Sequence, residues 1–112
     1  MEEYYKLDRV KELADNDEDF VMALAQTFLE EVPEDAERLK NAVAEGDHYT
    51  AYQAAHKMKP TIDLFELGVL EDLIEVQDWG KFEQSQDVSV KLNLVLDAVK
   101  RASDEIKSDF GF

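Results

Sequence analysis

The chain has 112 residues, with 12 Lys plus Arg against 27 Asp plus Glu, so its formal net charge is −15 at pH 7 with His neutral. This length fits one domain, assigned to residues 1–112 with a core over about 7–107. Hydrophobic residues make up 45% of the chain, which is enough to form that core. The excess of acidic residues argues against nucleic acid and membranes as partners. The absence of Cys excludes disulfides and thiolate metal sites. Since the sequence has neither a long apolar run nor a secretory signal, a cytoplasmic protein is predicted.

Helices are predicted throughout, because only four Gly and two Pro interrupt the chain and strand-like alternation is scarce. A short first helix covers about 7–14. Asn16 or Asp17 is placed to cap the second helix, whose apolar face continues to about residue 32. Pro33 suits the first position of a third helix, or it lies within one long helix, and Gly46 ends the segment in either case.

The second half of the chain contains three further helices. Asp47 is placed to cap the first of them, and a turn near 66–68 leads to the next. Trp79, Gly80 and the polar stretch 81–87 are predicted to form a connection before a last helix over about 88–107. The expected architecture is all-α, an up-and-down four-helix bundle with an additional short N-terminal helix. An unbroken apolar stripe on the helix after Asp47 consists of Ala51, Ala55, Met58, Ile62 and Phe65.

Two histidines are the only side chains that ordinarily titrate near neutrality. His48 and His56 stand roughly 12 Å apart along the predicted helix axis, too far to share a metal ion. Residues 45–48 have the E-x-x-H spacing of di-iron bundles, but Gly46 breaks the helix inside the motif and no second copy exists. No metal site is therefore predicted.

His56 is predicted to face solvent, because it lies about 140° from the centre of the apolar stripe. Lys59 follows one turn later, about 60° from His56, while Lys57 points about 100° to the other side. Residues 48–62 contain two Lys and no carboxylate, which suggests a place that tolerates incoming negative charge. The alternative interpretation is that a half-buried helix simply carries fewer acids.

The segment A-A-H-K-M-K-P-T at 54–61 resembles the signature of histidine-containing phosphotransfer (HPt) domains. That signature is a small residue, His, any residue, a hydrophobic residue, Lys, Gly and then small residues. The resemblance extends over about 7–107 and includes the order of helices, the apolar face at Phe20, Leu24 and Phe28, the Pro33 break and the corner at 46–47.

The resemblance implies a phosphoryl carrier rather than an enzyme. His56 would carry a phosphoryl group between the receiver domain of a hybrid sensor histidine kinase and that of a response regulator, accepting it from one receiver aspartate and passing it to another. Lys59 would screen the phosphoryl charge, and the receiver would supply both Mg²⁺ and the aspartate, so no cofactor is expected on this chain. A monomer is expected, because the apolar stripes are used by the bundle's own core. Lys57, Gln53, Thr61 and Gln77 are candidate accessory residues.

Two positions depart from the family pattern. Pro60 replaces the family's Gly, and proline cannot donate a hydrogen bond to the carbonyl of His56, so we expect a kink or widened turn that reshapes the docking face. Glu66 stands where the family has Gly at the next turn, and Gly68 is placed to do that work.

The rival hypothesis is a binding-only adaptor with an HPt-like fold and an unused histidine. A third hypothesis is an acidic bundle that sequesters a basic partner.

Overall fold

The computed structural model describes residues 4–112, which form five α-helices and no strand. The four long helices form a bundle in which each packs against the next along the chain and α5 returns against α2, while the short α1 packs on α2. The predicted all-α bundle is thus confirmed. None of the helices in the described residues is both long and apolar enough to cross a bilayer. The helices are α1 (Asp8–Leu13), α2 (Glu18–Glu45), α3 (His48–Leu64), α4 (Leu70–Lys81) and α5 (Ser89–Phe110).

The helix boundaries on either side of α2 follow the predicted signals. The Asp17 carboxylate accepts hydrogen bonds from the N–H groups of Asp19 and Phe20, so Asp17 is the N-cap of α2. Gly46 ends α2 in a left-handed conformation with φ of 70°. Asp47 then caps α3 by accepting from the Thr50 N–H at 3.1 Å. Hydrogen bonds from the Thr50 side chain and backbone lower the pKa of the Asp47 carboxyl.

Helix α2 continues through Pro33 as one 28-residue helix, so the third helix predicted to begin at Pro33 is wrong and the long-helix alternative is correct. Proline removes one hydrogen bond of the helical ladder. The burial of apolar side chains on both sides of it compensates, because Val32, Ala36 and Leu39 all lie in the core. Tertiary packing therefore overrides the local helix-breaking signal.

The predicted connection at 79–87 begins too early, because Trp79 and Gly80 belong to α4 and the helix ends at Lys81. Gly80 is not a turn residue. A Cβ atom at this position would lie 2.5 Å from the His48 carbonyl oxygen and 2.7 Å from the Tyr52 backbone nitrogen. The missing side chain is what permits α3 and α4 to approach so closely.

The core is built around the predicted stripe of α3, which is buried along its whole length. Tyr5 and Lys6, which precede α1, are hydrogen-bonded to the end of the bundle where α3 and α5 end: the Tyr5 hydroxyl donates to Asp109 at 2.7 Å, and the Lys6 N–H donates to the Phe65 carbonyl at 2.8 Å. The buried members of the stripe are Ala51, Ala55, Met58, Ile62 and Phe65.

Gly80→Ala is expected to destabilise the protein by about 1–3 kcal/mol, because the new methyl group meets backbone atoms that cannot rotate away. Asn41→Ala, at an exposed position of α2, is the control and is expected to gain a few tenths of a kcal/mol from helix propensity alone. Urea unfolding of both variants measures the difference. A Gly80→Ala protein more stable than wild type would contradict the close approach of α3 and α4.

Candidate functional site

The solvent face of α3 carries the predicted site. His56 is exposed, as its angle from the apolar stripe predicts, while the preceding Ala55 and the following Met58 are buried. The imidazole stacks on the ring of Tyr52, with centroids 5.6 Å apart and planes 25° from parallel. The stacking follows from the spacing, because residues four apart lie on the same side of a helix.

The His56 imidazole accepts and donates no hydrogen bond within residues 4–112. In the neutral ring one nitrogen carries a lone pair, and that lone pair is therefore not committed to a protein donor. An exposed ring with an uncommitted lone pair can act as a nucleophile toward an electrophile that another molecule presents.

His48 lies in a different environment, although it belongs to the same helix. Its ring packs on Trp79 with centroids 4.1 Å apart, and its Nε2 lies 3.0 Å from the Gln84 carbonyl oxygen. Since a carbonyl only accepts, Nε2 carries the proton and donates it. His48 thus joins the start of α3 to α4 and to the loop after α4, which is a structural role.

The two lysines of the site have different roles. The Lys57 Nζ atom lies 3.2 Å from Oδ1 of Asp35, whose side chain is only 9% exposed. Lys57 thus neutralises a nearly buried carboxylate on α2 and links α2 to α3. Lys59 is half-buried and forms no ion pair with any residue of 4–112. Its ammonium group is therefore the one cation near His56 on α3 that remains free for an incoming anion.

The remaining accessory candidates, Gln53, Thr61 and Gln77, lie in different environments. Gln53 is exposed and donates a hydrogen bond to the Tyr49 hydroxyl at 2.9 Å. Thr61 is half-buried, and its carbonyl accepts from the Phe65 N–H at the end of α3. Gln77 lies on α4 with 8% of its surface exposed, and its Oε1 has no hydrogen-bond partner within residues 4–112.

Both departures from the HPt pattern are accommodated in the helices and turns. Pro60 is exposed and lies inside α3, which continues beyond it to Leu64. The absent proline N–H leaves the His56 carbonyl without its usual helical donor. Glu66 itself adopts the left-handed conformation that a Gly would favour, with φ of 52°, and Gly68 follows with φ of 78°. The expectation that Gly68 alone performs this turn is thus incomplete.

Two residues of the site were not predicted. Tyr52 was detectable in principle, because an aromatic residue four positions before an exposed His on a helix is placed to contact it. The partnership of Asp35 with Lys57 was not, since it joins two helices whose mutual rotation a sequence pattern does not define. Among residues 4–112 no group of three or more His, Asp or Glu side chains is arranged to hold a metal ion.

Comparisons with known proteins identify no relative: no family model, no curated protein and no solved structure matches the chain. The chemistry of the site must therefore be argued from its residues.

Lys57→Ala is expected to destabilise the protein by about 1–2 kcal/mol, because it leaves the Asp35 carboxylate nearly buried and unpaired. Lys59→Ala is the matched control and is expected to change the free energy of unfolding by less than about 0.5 kcal/mol. In an Asp35→Asn background, Lys57→Ala should cost little, because the charge to be neutralised is gone. Chemical denaturation of the four variants tests the pair, and an equal cost of Lys57→Ala in both backgrounds would contradict it.

Proposed function

We propose that this chain is a histidine phosphotransfer protein with an HPt-like fold. It accepts a phosphoryl group on His56 from the aspartate of one receiver domain and passes it to the aspartate of another. The observation that carries this proposal is the state of His56: it is exposed, and within the described part of the chain it forms no hydrogen bond and is followed one turn later by Lys59, which has no ion-pair partner there.

The transfer needs little from the carrier beyond a nucleophile. The lone pair of the neutral imidazole attacks phosphorus, an N–P bond forms, and the P–O bond to the receiver's aspartate breaks, with its electron pair leaving on the carboxylate. The ring then carries a positive charge, which is discharged when the proton on its other nitrogen passes to water. The reverse sequence returns the phosphoryl group to a second receiver.

Charge around His56 suits a phosphoryl group, although the chain as a whole is strongly acidic. Residues 48–62 contain no carboxylate, so no fixed anion of this helix segment repels the phosphoryl oxygens. Lys57 is occupied by Asp35, which leaves Lys59 to offset the phosphoryl charge. Mg²⁺ and the reacting aspartate would come from the receiver, so this chain acts as a substrate and carrier without catalytic activity of its own.

A binding-only adaptor is the second candidate, and Pro60 is the feature that favours it. Proline replaces the small residue expected beside the docking face, and its ring lies exposed one turn after His56. Such an adaptor would use the same surface of α3 to hold a partner without accepting a phosphoryl group. Its partner binding would be indifferent to His56→Ala.

Phosphoramidate labelling distinguishes the two candidates. The wild-type chain is expected to gain one phosphoryl group that is stable in alkali and lost in acid, as measured by intact mass and ³¹P NMR. His56→Ala should gain none. His48→Gln, the control at the other histidine, should be labelled like wild type, because the His48 Nε2 is engaged with the Gln84 carbonyl. Labelling that survives His56→Ala, or no labelling of wild type, would reject the carrier function.

A further inference from the structure

The aromatic ring beneath His56 is the feature of the site that the phosphoryl-carrier scheme leaves without a role. Tyr52 is half-buried and His56 is exposed, and their rings stack with centroids 5.6 Å apart. The two rings are therefore nearly parallel neighbours on the surface of α3. The two imidazole nitrogens, which lie on the ring edge, form no hydrogen bond with any residue of 4–112.

The backbone of Tyr52 lies where α3 and α4 approach each other closely. Gly80 packs against the turn between His48 and Tyr52, so close that an added Cβ would lie 2.7 Å from the Tyr52 nitrogen and 3.1 Å from its Cα. The contact is between main chains, which cannot move independently of their helices. The backbone that carries the Tyr52 ring is therefore held in place by the packing of α3 against α4.

An aromatic ring beside an exposed histidine affects how that histidine can act as a nucleophile. A surface histidine ordinarily samples several side-chain rotamers, and only some of them direct a ring nitrogen along the line of attack on phosphorus. Stacking on Tyr52 restricts that sampling. The tyrosine face also carries negative electrostatic potential, which favours the positive charge that the imidazole develops as the N–P bond forms.

A comparison with His48, the second histidine of the chain, shows what distinguishes His56. His48 also packs on an aromatic ring, Trp79, but its Nε2 is engaged with the Gln84 carbonyl. His56 has the aromatic contact without the hydrogen bond. Both imidazole rings therefore pack on an aromatic ring. The His48 Nε2 is engaged in a structural hydrogen bond, whereas the His56 nitrogens form none within residues 4–112.

The geometry points to Tyr52 as the positioning residue of the phospho-acceptor: its ring, carried on backbone that packs against Gly80, stacks on the His56 imidazole and holds it in one orientation with the nucleophilic edge toward the partner. This inference rests on the proposed carrier function. Tyr52 does not contact the phosphoryl group and acts only through His56.

The test compares Tyr52→Leu, which removes the aromatic face, with Tyr52→Phe, which keeps it. Tyr49→Leu is the matched control, because Tyr49 lies on the same helix, is 69% exposed and contacts Gln53 rather than His56. The initial rate of phosphoramidate labelling of His56 is expected to fall about three- to tenfold in Tyr52→Leu, and to stay within about twofold of wild type in the other two variants.

A second readout reports the orientation without any phosphoryl transfer. The carbon-bound ring protons of His56 should show an aromatic ring-current shift in the NMR spectrum of wild type and Tyr52→Phe, and lose it in Tyr52→Leu. Unshifted His56 protons in wild type, or an unchanged labelling rate in a folded Tyr52→Leu protein, would overturn the inference. Equal slowing in Tyr52→Phe would do so too, since it would assign the effect to the hydroxyl. If wild type is not labelled at His56 at all, the carrier function itself fails and the inference falls with it, whatever the ring-current shifts show.

Discussion

Burial of the apolar stripe of α3 is the constraint on which the site depends. With Ala51, Ala55, Met58 and Ile62 all inside the bundle, the helix has no rotational freedom, and His56 must face solvent. The neighbouring helices then define what surrounds it. Helix α2 brings Asp35 to Lys57, and α4 brings Gly80 against the backbone below Tyr52. One packing requirement therefore places His56, Lys57 and Tyr52 together.

The sequence predicts the features that depend on one helix alone. The exposure of His56, the caps at Asp17 and Asp47 and the stop at Gly46 follow from spacing and local backbone chemistry, and the structure contains all of them. Features that depend on two helices were not predictable in the same way. The sequence pattern predicts a connection at Gly80. The structure shows instead that glycine is needed there because α3 packs closely against α4, and this proximity is visible only when both helices are in place.

The lysines illustrate the same limit in the site itself. Sequence spacing distinguishes Lys57 from Lys59 only by direction around the helix. The structure distinguishes them by chemistry, because one neutralises a nearly buried carboxylate and the other has no ionic partner within residues 4–112. Within residues 4–112, Lys59 is therefore the lysine of α3 that has no carboxylate partner.

The measurement that tests the carrier function most directly is transfer to a receiver domain. Wild-type protein phosphorylated at His56 and freed of reagent would be mixed with a panel of purified receiver domains and Mg²⁺, with Asp→Asn receivers as controls. The account predicts that at least one receiver takes the phosphoryl group onto its aspartate and empties His56 faster than hydrolysis does, and that its Asp→Asn form does not. A phosphoryl group that leaves His56 only at the rate of hydrolysis in buffer, whichever receiver is present, would contradict the account.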